Sequence, residues 1–274
     1  MKEVQISQLD VYDRKMEKKK DFVAEETPLH IFLNQIHYVT ILCSPNQLKE
    51  LAVGHLISEG VLKSVEEIKE IRFEEGGKCV VRLKKDVDAD KRVSAALPFA
   101  RLIVSACGST DYWPLSKLID RLHISKVPSS LQVEARVILD SVKQLNMIAE
   151  TFRKTGGVHI AAAYSPKGEL RTFAEDVGRH NAVDKVIGTC VLEKLDFNDC
   201  FLASSGRLSG DIVLKAARMK VQAIASLTAA LNSGIEIAQH MGVTLIGFVR
   251  GKRMNIYTYP ERISEYLKWK KRES

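Results

Sequence analysis

From Val158 to Pro260 the chain alternates two kinds of apolar pattern, and this alternation limits the possible folds more than any other feature. The runs VHIAAAYS, ELRTFAE, CFLASS, AIAS, TLIGFVRG and MNIYTYP are short and rich in strand formers, and a turn at Pro166-Lys167-Gly168 joins the first two. Residues 181–194, 209–220 and 233–241 carry helical patterns between them. Strands separated by helices in this way point to an α/β sheet with helices covering its faces.

Upstream, Leu131, Ala135, Ile138, Val142, Leu145, Ala149 and Phe152 recur at alternating spacings of four and three. The stripe predicts one amphipathic helix from Ser129 to Thr155, ended by Gly156-Gly157 and packed on the body of its own domain, though a helix–helix contact between subunits would look the same. Nearer the start, PLHIFLN and HYVTILC read as a hairpin, and IKEIRF and KCVVRLKK as a second one around Glu75-Gly76-Gly77. Ser44-Pro45 reads as a helix start, serine capping and proline at the first helical position, with Gly60 as the stop. The expected organisation is an N-terminal tail (1–24), a smaller β-rich part (25–125), an α/β domain (126–266) and a basic C-terminal tail (267–274).

Composition narrows the class. The chain has 274 residues, 45% of them hydrophobic and 27% charged, which are globular proportions. No apolar run approaches the roughly 18 residues of a membrane span, and MKEVQISQLDVYDRK has no signal-like apolar core. The expectation is a soluble, cytoplasmic protein without a membrane partner. The five cysteines, at 43, 79, 107, 190 and 200, include no C-x-x-C pair, so neither a disulfide framework nor a zinc knuckle is indicated. A net charge of +7 suits an anionic partner. Base-stacking aromatics are not interleaved with the basic runs, which argues against nucleic acid.

The polar residues concentrate where strands hand over to helices. Glu175-Asp176-Val177-Gly178-Arg179-His180-Asn181-Ala182-Val183-Asp184-Lys185 lies at one such junction, where free backbone N–H groups receive anions. Capping by Asp176 or Asn181 would account for one residue there, not for all of them. Ser205-Gly206-Arg207 follows the next strand, with glycine for close approach and arginine for a bidentate grip on phosphate. Phe248-Val249-Arg250-Gly251-Lys252-Arg253 gathers three cations around a glycine at the end of a later strand. At one sheet edge these loops would wall a nucleotide pocket. His159 lacks the glutamate of an H-x-E motif, since Ala161 stands there, and no later Cys pair follows; zinc deamination is excluded and no metal site is expected. Cys107 lies in the small polar loop Ser105-Ala106-Cys107-Gly108-Ser109-Thr110-Asp111, whereas the other four cysteines sit in apolar runs as small hydrophobes.

Together the segments EETPLHIFLN, LKELAVGHLISEGVL, SACG, TGGVHIAA, EDVGRHNAVDKVIG, SSGRLSGDIVLKAA and TLIGFVRGKRMNIYTYPERI resemble the formate dehydrogenase accessory sulfurtransferase family, FdhD, from about Glu25 to Ile263. The resemblance implies a cytidine-deaminase-like three-layer α/β core without catalytic zinc, and a homodimer. It implies sulfurtransferase activity, moving sulfur from a cysteine desulfurase persulfide to the molybdenum cofactor, bis(molybdopterin guanine dinucleotide) in its Mo or W form, before insertion into formate dehydrogenase. Cys107 then matches the persulfide-carrying cysteine. Residues Phe248, Val249, Arg250, Gly251, Lys252 and Arg253 match the cofactor-binding segment, and Arg179, His180, Asn181, Gly206 and Arg207 join them at the pocket. The chain departs from the family pattern in three places: Thr110 replaces the second loop cysteine, Ala174 precedes EDVGRHNA where an arginine is usual, and Ala230-Leu231 replaces a Pro-Thr pair. The other reading left open is a chaperone that holds the dinucleotide for the same enzyme without transferring sulfur.

Overall fold

The computed structural model describes residues 1–93 and 124–273. Residues 1–24, expected as a tail, instead form a two-stranded antiparallel ribbon of β1 (Lys2–Asp10) and β2 (Lys15–Val23). Both strands are almost wholly exposed, with only Val4 and Ile6 of β1 half-buried, so the alternating signal is too short to mark them. The pairing is closed at the tip by the Asp10 carboxylate, which accepts from the amides of Tyr12 and Asp13, both at 2.9 Å.

The two expected hairpins are present. Strands β3 (Thr27–Leu33) and β4 (Ile36–Cys43) form the first. After α1 (Leu48–Ser58), β5 (Ile68–Glu74) and β6 (Lys78–Leu83) form the second. Parallel pairing of β3 with β6 merges them into a four-stranded sheet of order β4-β3-β6-β5. Leu29, Ile31, Leu33, Val81 and Leu83 alternate onto one face and pack on Leu51, Val53 and Leu56 of α1. Ser44-Pro45 does not start α1. The Ser44 amide donates to Asp176 Oδ2 (3.0 Å) and its hydroxyl accepts from the Val177 amide (3.2 Å), so the serine serves a contact distant in sequence. The helix begins three residues later, after Gln47 in the left-handed region, and Gly60 at φ 77° follows its end.

The single long helix expected from Ser129 is two helices, α2 (Ala135–Ile148) and α3 (Glu150–Thr155), broken at Ala149. The cause is Glu175, whose carboxylate accepts from the amides of Thr151 (3.1 Å) and Phe152 (2.7 Å) and so caps a new helix start. Residues 129–134 are extended, held by the Gln222 side chain accepting from the amides of Ser130 and Leu131.

The α/β body follows as β7 (His159–Tyr164), β8 (Leu170–Asp176), α4 (Arg179–Leu192), β9 (Phe201–Ser204), α5 (Gly210–Arg218), β10 (Ala223–Ser226), α6 (Asn232–Met241), β11 (Thr244–Arg250), β12 (Arg253–Ile256) and α7 (Ser264–Glu273). Helix α7 takes in nearly all of the expected C-terminal tail. The six strands make one mixed sheet of order β12-β11-β10-β9-β7-β8. Ile138, Val142 and Leu145 of α2 pack with Ile160, Ala162, Phe201 and Ile246 on one face. Val186, Ile212, Val213 and Ile237 of α4, α5 and α6 pack with Ala161, Ala163, Leu202 and Ile224 on the other. The result is the three-layer α/β arrangement that the strand–helix alternation implies. The N-terminal layer joins it through α1 and α4, whose backbones nearly touch. A Cβ on Gly54 would stand 1.8 Å from the Asp184 carbonyl oxygen, and one on Gly188 1.9 Å from that of Glu50. Among the described residues, no helix is long and apolar enough to cross a membrane.

Candidate functional site

Strand directions bring the polar junctions to one edge of the six-stranded sheet. Strands β9, β10 and β11 are parallel, so their carboxyl ends lie together. Strand β7 runs against β9, and β8 against β7, which places the start of β7 and the end of β8 at that edge; His159 faces Asp176 in the register. The turn between β11 and β12 pairs Arg250 with Arg253 at the same edge. Sheets of this kind take ligands at such an edge, outside the carboxyl ends of parallel strands.

The loop after β9 is fixed by its neighbours. Ser205 Oγ accepts from the Ile160 amide at 3.0 Å and lies 3.2 Å from His159 Nδ1. The Gly206 amide donates to Ser204 Oγ (3.0 Å), and Ser226 Oγ donates to the Gly206 carbonyl (2.7 Å). Gly206 has no room for a side chain, since a Cβ would lie 2.7 Å from Arg179 Cβ. The arginine stem therefore rests directly on the Ser205-Gly206-Arg207 loop. Arg179 Nε is buried without a hydrogen-bond partner among the described residues, a donor that an external acceptor would satisfy. Arg207, Arg250, Gly251, Lys252 and Arg253 are exposed, and the Arg250 guanidinium lies 5.1 Å from the centroid of the Phe248 ring.

The electrostatics agree with a cationic rim. His159 is held below its ordinary value by partial burial and then by the charges of Arg179, His180 and Arg207, so an anion among them would be welcome. His180 Nε2 pairs with Asp211 in the first turn of α5. Burial alone would raise the Asp211 pKa, but the His180 bond and charge outweigh it and bring the carboxyl down to about 2. Among the described residues, no group of three His, Cys, Asp or Glu side chains could hold a metal ion.

Not every expected site residue reaches this rim. Asn181 turns inward, its side-chain amide donating to the Leu42 carbonyl and to Asp176 Oδ1, each at 2.8 Å. Val249 is 1% exposed and belongs to the core beneath α2. Phe248, at φ 51°, donates its amide to the Thr228 carbonyl and anchors the turn. Asp176 and Lys185 form a fully buried pair at 2.6 Å. Much of the dense polar cluster therefore ties the layers together, and Arg179 and His180 are the members that reach the edge.

A second buried network centres on Asp184, a member of the same polar run, and its partners are distant in sequence. Asp184 accepts from Ser58 Oγ (2.7 Å) and Lys215 Nζ (2.9 and 3.0 Å) and pairs with His55 (3.0 Å), while Glu59 binds the same lysine at 2.6 Å. Burial opposes both charges, yet the mutual attraction keeps the Asp184 carboxyl lowered and the Lys215 ammonium raised. His55 alone would have been a pointer, as an imidazole on an otherwise apolar helix face.

Cys107 lies outside the described residues. Cys43, Cys79, Cys190 and Cys200 are all buried and free. Burial pushes the first two thiols up to about 11, Cys190 to about 12, and Cys200 upward.

Fold and site together define a three-layer α/β protein with arginine-bearing loops gathered at the sheet edge. The FdhD/NarQ family profile matches residues 24–264. The chain belongs to the FdhD/NarQ family. It is 38% identical over 258 residues to the sulfur carrier protein FdhD of Saccharolobus solfataricus, covering 92% of this chain and 95% of that protein. It is 34% identical over 249 residues to the sulfur carrier protein FdhD of Bacillus subtilis, covering 90% and 92%. The crystal structure of a candidate formate dehydrogenase accessory protein from Desulfotalea psychrophila is similar at a TM-score of 0.74 and 26% identity, over 95% of this chain and 99% of that one.

Proposed function

We propose that this protein is a sulfur carrier for formate dehydrogenase, taking sulfur from a cysteine desulfurase and passing it to the molybdopterin guanine dinucleotide cofactor. Its relatives carry the sulfur-carrier name over nearly their whole length. One observation carries the assignment of the sulfur to Cys107: the other four thiols are buried and held in the protonated form. A thiol needs thiolate character and access to exchange sulfur.

In the first step the Cys107 thiolate attacks the outer sulfur of the desulfurase persulfide, and the desulfurase cysteine leaves as thiolate. In the second, the outer sulfur must leave Cys107 as sulfide, which takes two electrons. Thr110 stands where a second loop cysteine would supply them. An external thiolate instead attacks the inner sulfur and releases sulfide toward the metal. Cys107 is left in a mixed disulfide, which a second thiol reduces. The dinucleotide is cargo here. Arg179, Gly206 and Arg207, with the turn at Arg250–Arg253, receive its phosphates, and the unpartnered Arg179 Nε and the depressed His159 support that placement.

The test is reconstitution of formate dehydrogenase with desulfurase, cysteine and this protein. Cys107→Ser should abolish maturation, and the wild type should require added thiol. Full maturation with Cys107→Ser would leave a dinucleotide-holding chaperone instead.

A further inference from the structure

We propose that the open face of the N-terminal sheet docks an extended acidic segment of a protein partner. Strands β3, β6 and β5 bury one face on α1, and no layer of the described residues covers the other. That outer face holds a concavity of ≈ 460 Å³ whose floor is Phe32 and Val80 and whose walls are Lys69, Arg72, Lys78, Arg82 and Lys85. Among the described residues Glu74 is the one carboxylate in the lining, against those five cations. None of the lining residues belongs to the loops of the six-stranded sheet, so this surface is separate from the cofactor rim.

The chemistry of the face selects its occupant. Lys78 sits 4.9 Å from the centroid of the Phe32 ring, and His37 meets the same ring edge-on at 5.1 Å. With Lys78 and His37 against it, the half-buried ring has room for an aliphatic side chain but is a poor platform for stacking a base. Glu70 accepts from Arg82 at 3.3 Å and lies 3.5 Å from Arg72, while Glu74 binds Lys78 at 2.7 Å. These carboxylates stand among the cations and would repel a continuous ladder of phosphates. A segment with isolated carboxylates, spaced by apolar side chains that meet the half-buried Phe32, avoids them. Lys69 and Lys85 form no ion pair among the described residues and are exposed, so they are the cations ready for such carboxylates. A peptide extended along the sheet alternates its side chains with period two, as the strands do.

The probe is a fluorescein-labelled decapeptide of alternating Glu and Val, measured by anisotropy at low salt with the full-length protein. Controls are the Gln–Val decapeptide and a single-stranded DNA decamer. The Glu–Val peptide should bind and the Gln–Val peptide should not. Lys69→Glu combined with Lys85→Glu should weaken binding at least tenfold while leaving GDP binding unchanged, which separates this surface from the cofactor rim. Amide shifts on peptide addition should fall in Ile68–Glu74 and Lys78–Leu83. Binding that ignores the double substitution, that is lost only with Arg207→Ala, or that the DNA decamer displaces more strongly than unlabelled peptide would overturn the proposal. This test uses no desulfurase or formate dehydrogenase, so its outcome is independent of the sulfur chemistry.

Discussion

At His159, burial and then the neighbouring Arg179, His180 and Arg207 act in the same direction and hold the imidazole pKa below its ordinary value. The sign follows for stability. A depressed folded pKa means the unfolded chain takes up the proton first, so the contribution is full above the ordinary value of 6.5 and declines as pH falls through the folded value. A phosphate placed among Arg179, His180 and Arg207 offsets their charge and moves the His159 pKa upward. Ring-proton NMR should record that rise when GDP is added, and an unmoved titration would put the phosphate elsewhere. Arg207→Ala should raise the same pKa without ligand and weaken GDP about ten- to a hundredfold, the loss of one charge-assisted bond. Tyr164 has a different imbalance. Its ring is fully buried, stacked on Phe201 at 5.7 Å, and its hydroxyl finds no partner among the described residues. Tyr164→Phe should therefore leave stability unchanged or raise it by about 1 kcal/mol in urea unfolding; a clear loss would mean that the hydroxyl is bonded.

Between elements, the tightest junction is the crossing of α1 and α4. Gly188→Ala pushes a methyl into the Glu50 carbonyl, and neither backbone can yield without disturbing the buried Asp184–Lys215 pair beside it. The expected cost is about 3 kcal/mol, with faster amide exchange across α1; unchanged stability would show that the helices can separate freely. Local signals made much of the architecture legible in advance. The hairpin turns at Asn34 and Glu75-Gly76-Gly77, and the strands and helices after Val158, follow from patterns within a few residues. What escaped depends on distant partners. Glu175 cuts the amphipathic stripe at Ala149, and Asp176 draws Ser44 away from capping; the β1–β2 ribbon escaped for another reason, its strands being almost wholly exposed and rich in charge. The rim was legible as arginines and glycines at strand ends. The inward turns of Asn181 and Val249 were not, because a motif does not show which side chains hold the layers together.

Across the molecule, two cationic surfaces of different geometry stand apart: loops at the edge of the six-stranded sheet, and the open face of the N-terminal sheet. Sulfur chemistry divides as sharply, because the cores enclose four of the five thiols. Sulfur carriage on Cys107 is the central claim, and intact-protein mass spectrometry tests it most directly. After incubation with a cysteine desulfurase and cysteine, the wild type should gain about 32 Da, one sulfur atom, and lose it on treatment with a thiol. Peptide mapping should place the added sulfur on Cys107, and Cys107→Ser should gain nothing. An adduct on Cys43, Cys79, Cys190 or Cys200, or an equal gain by Cys107→Ser, would contradict the account.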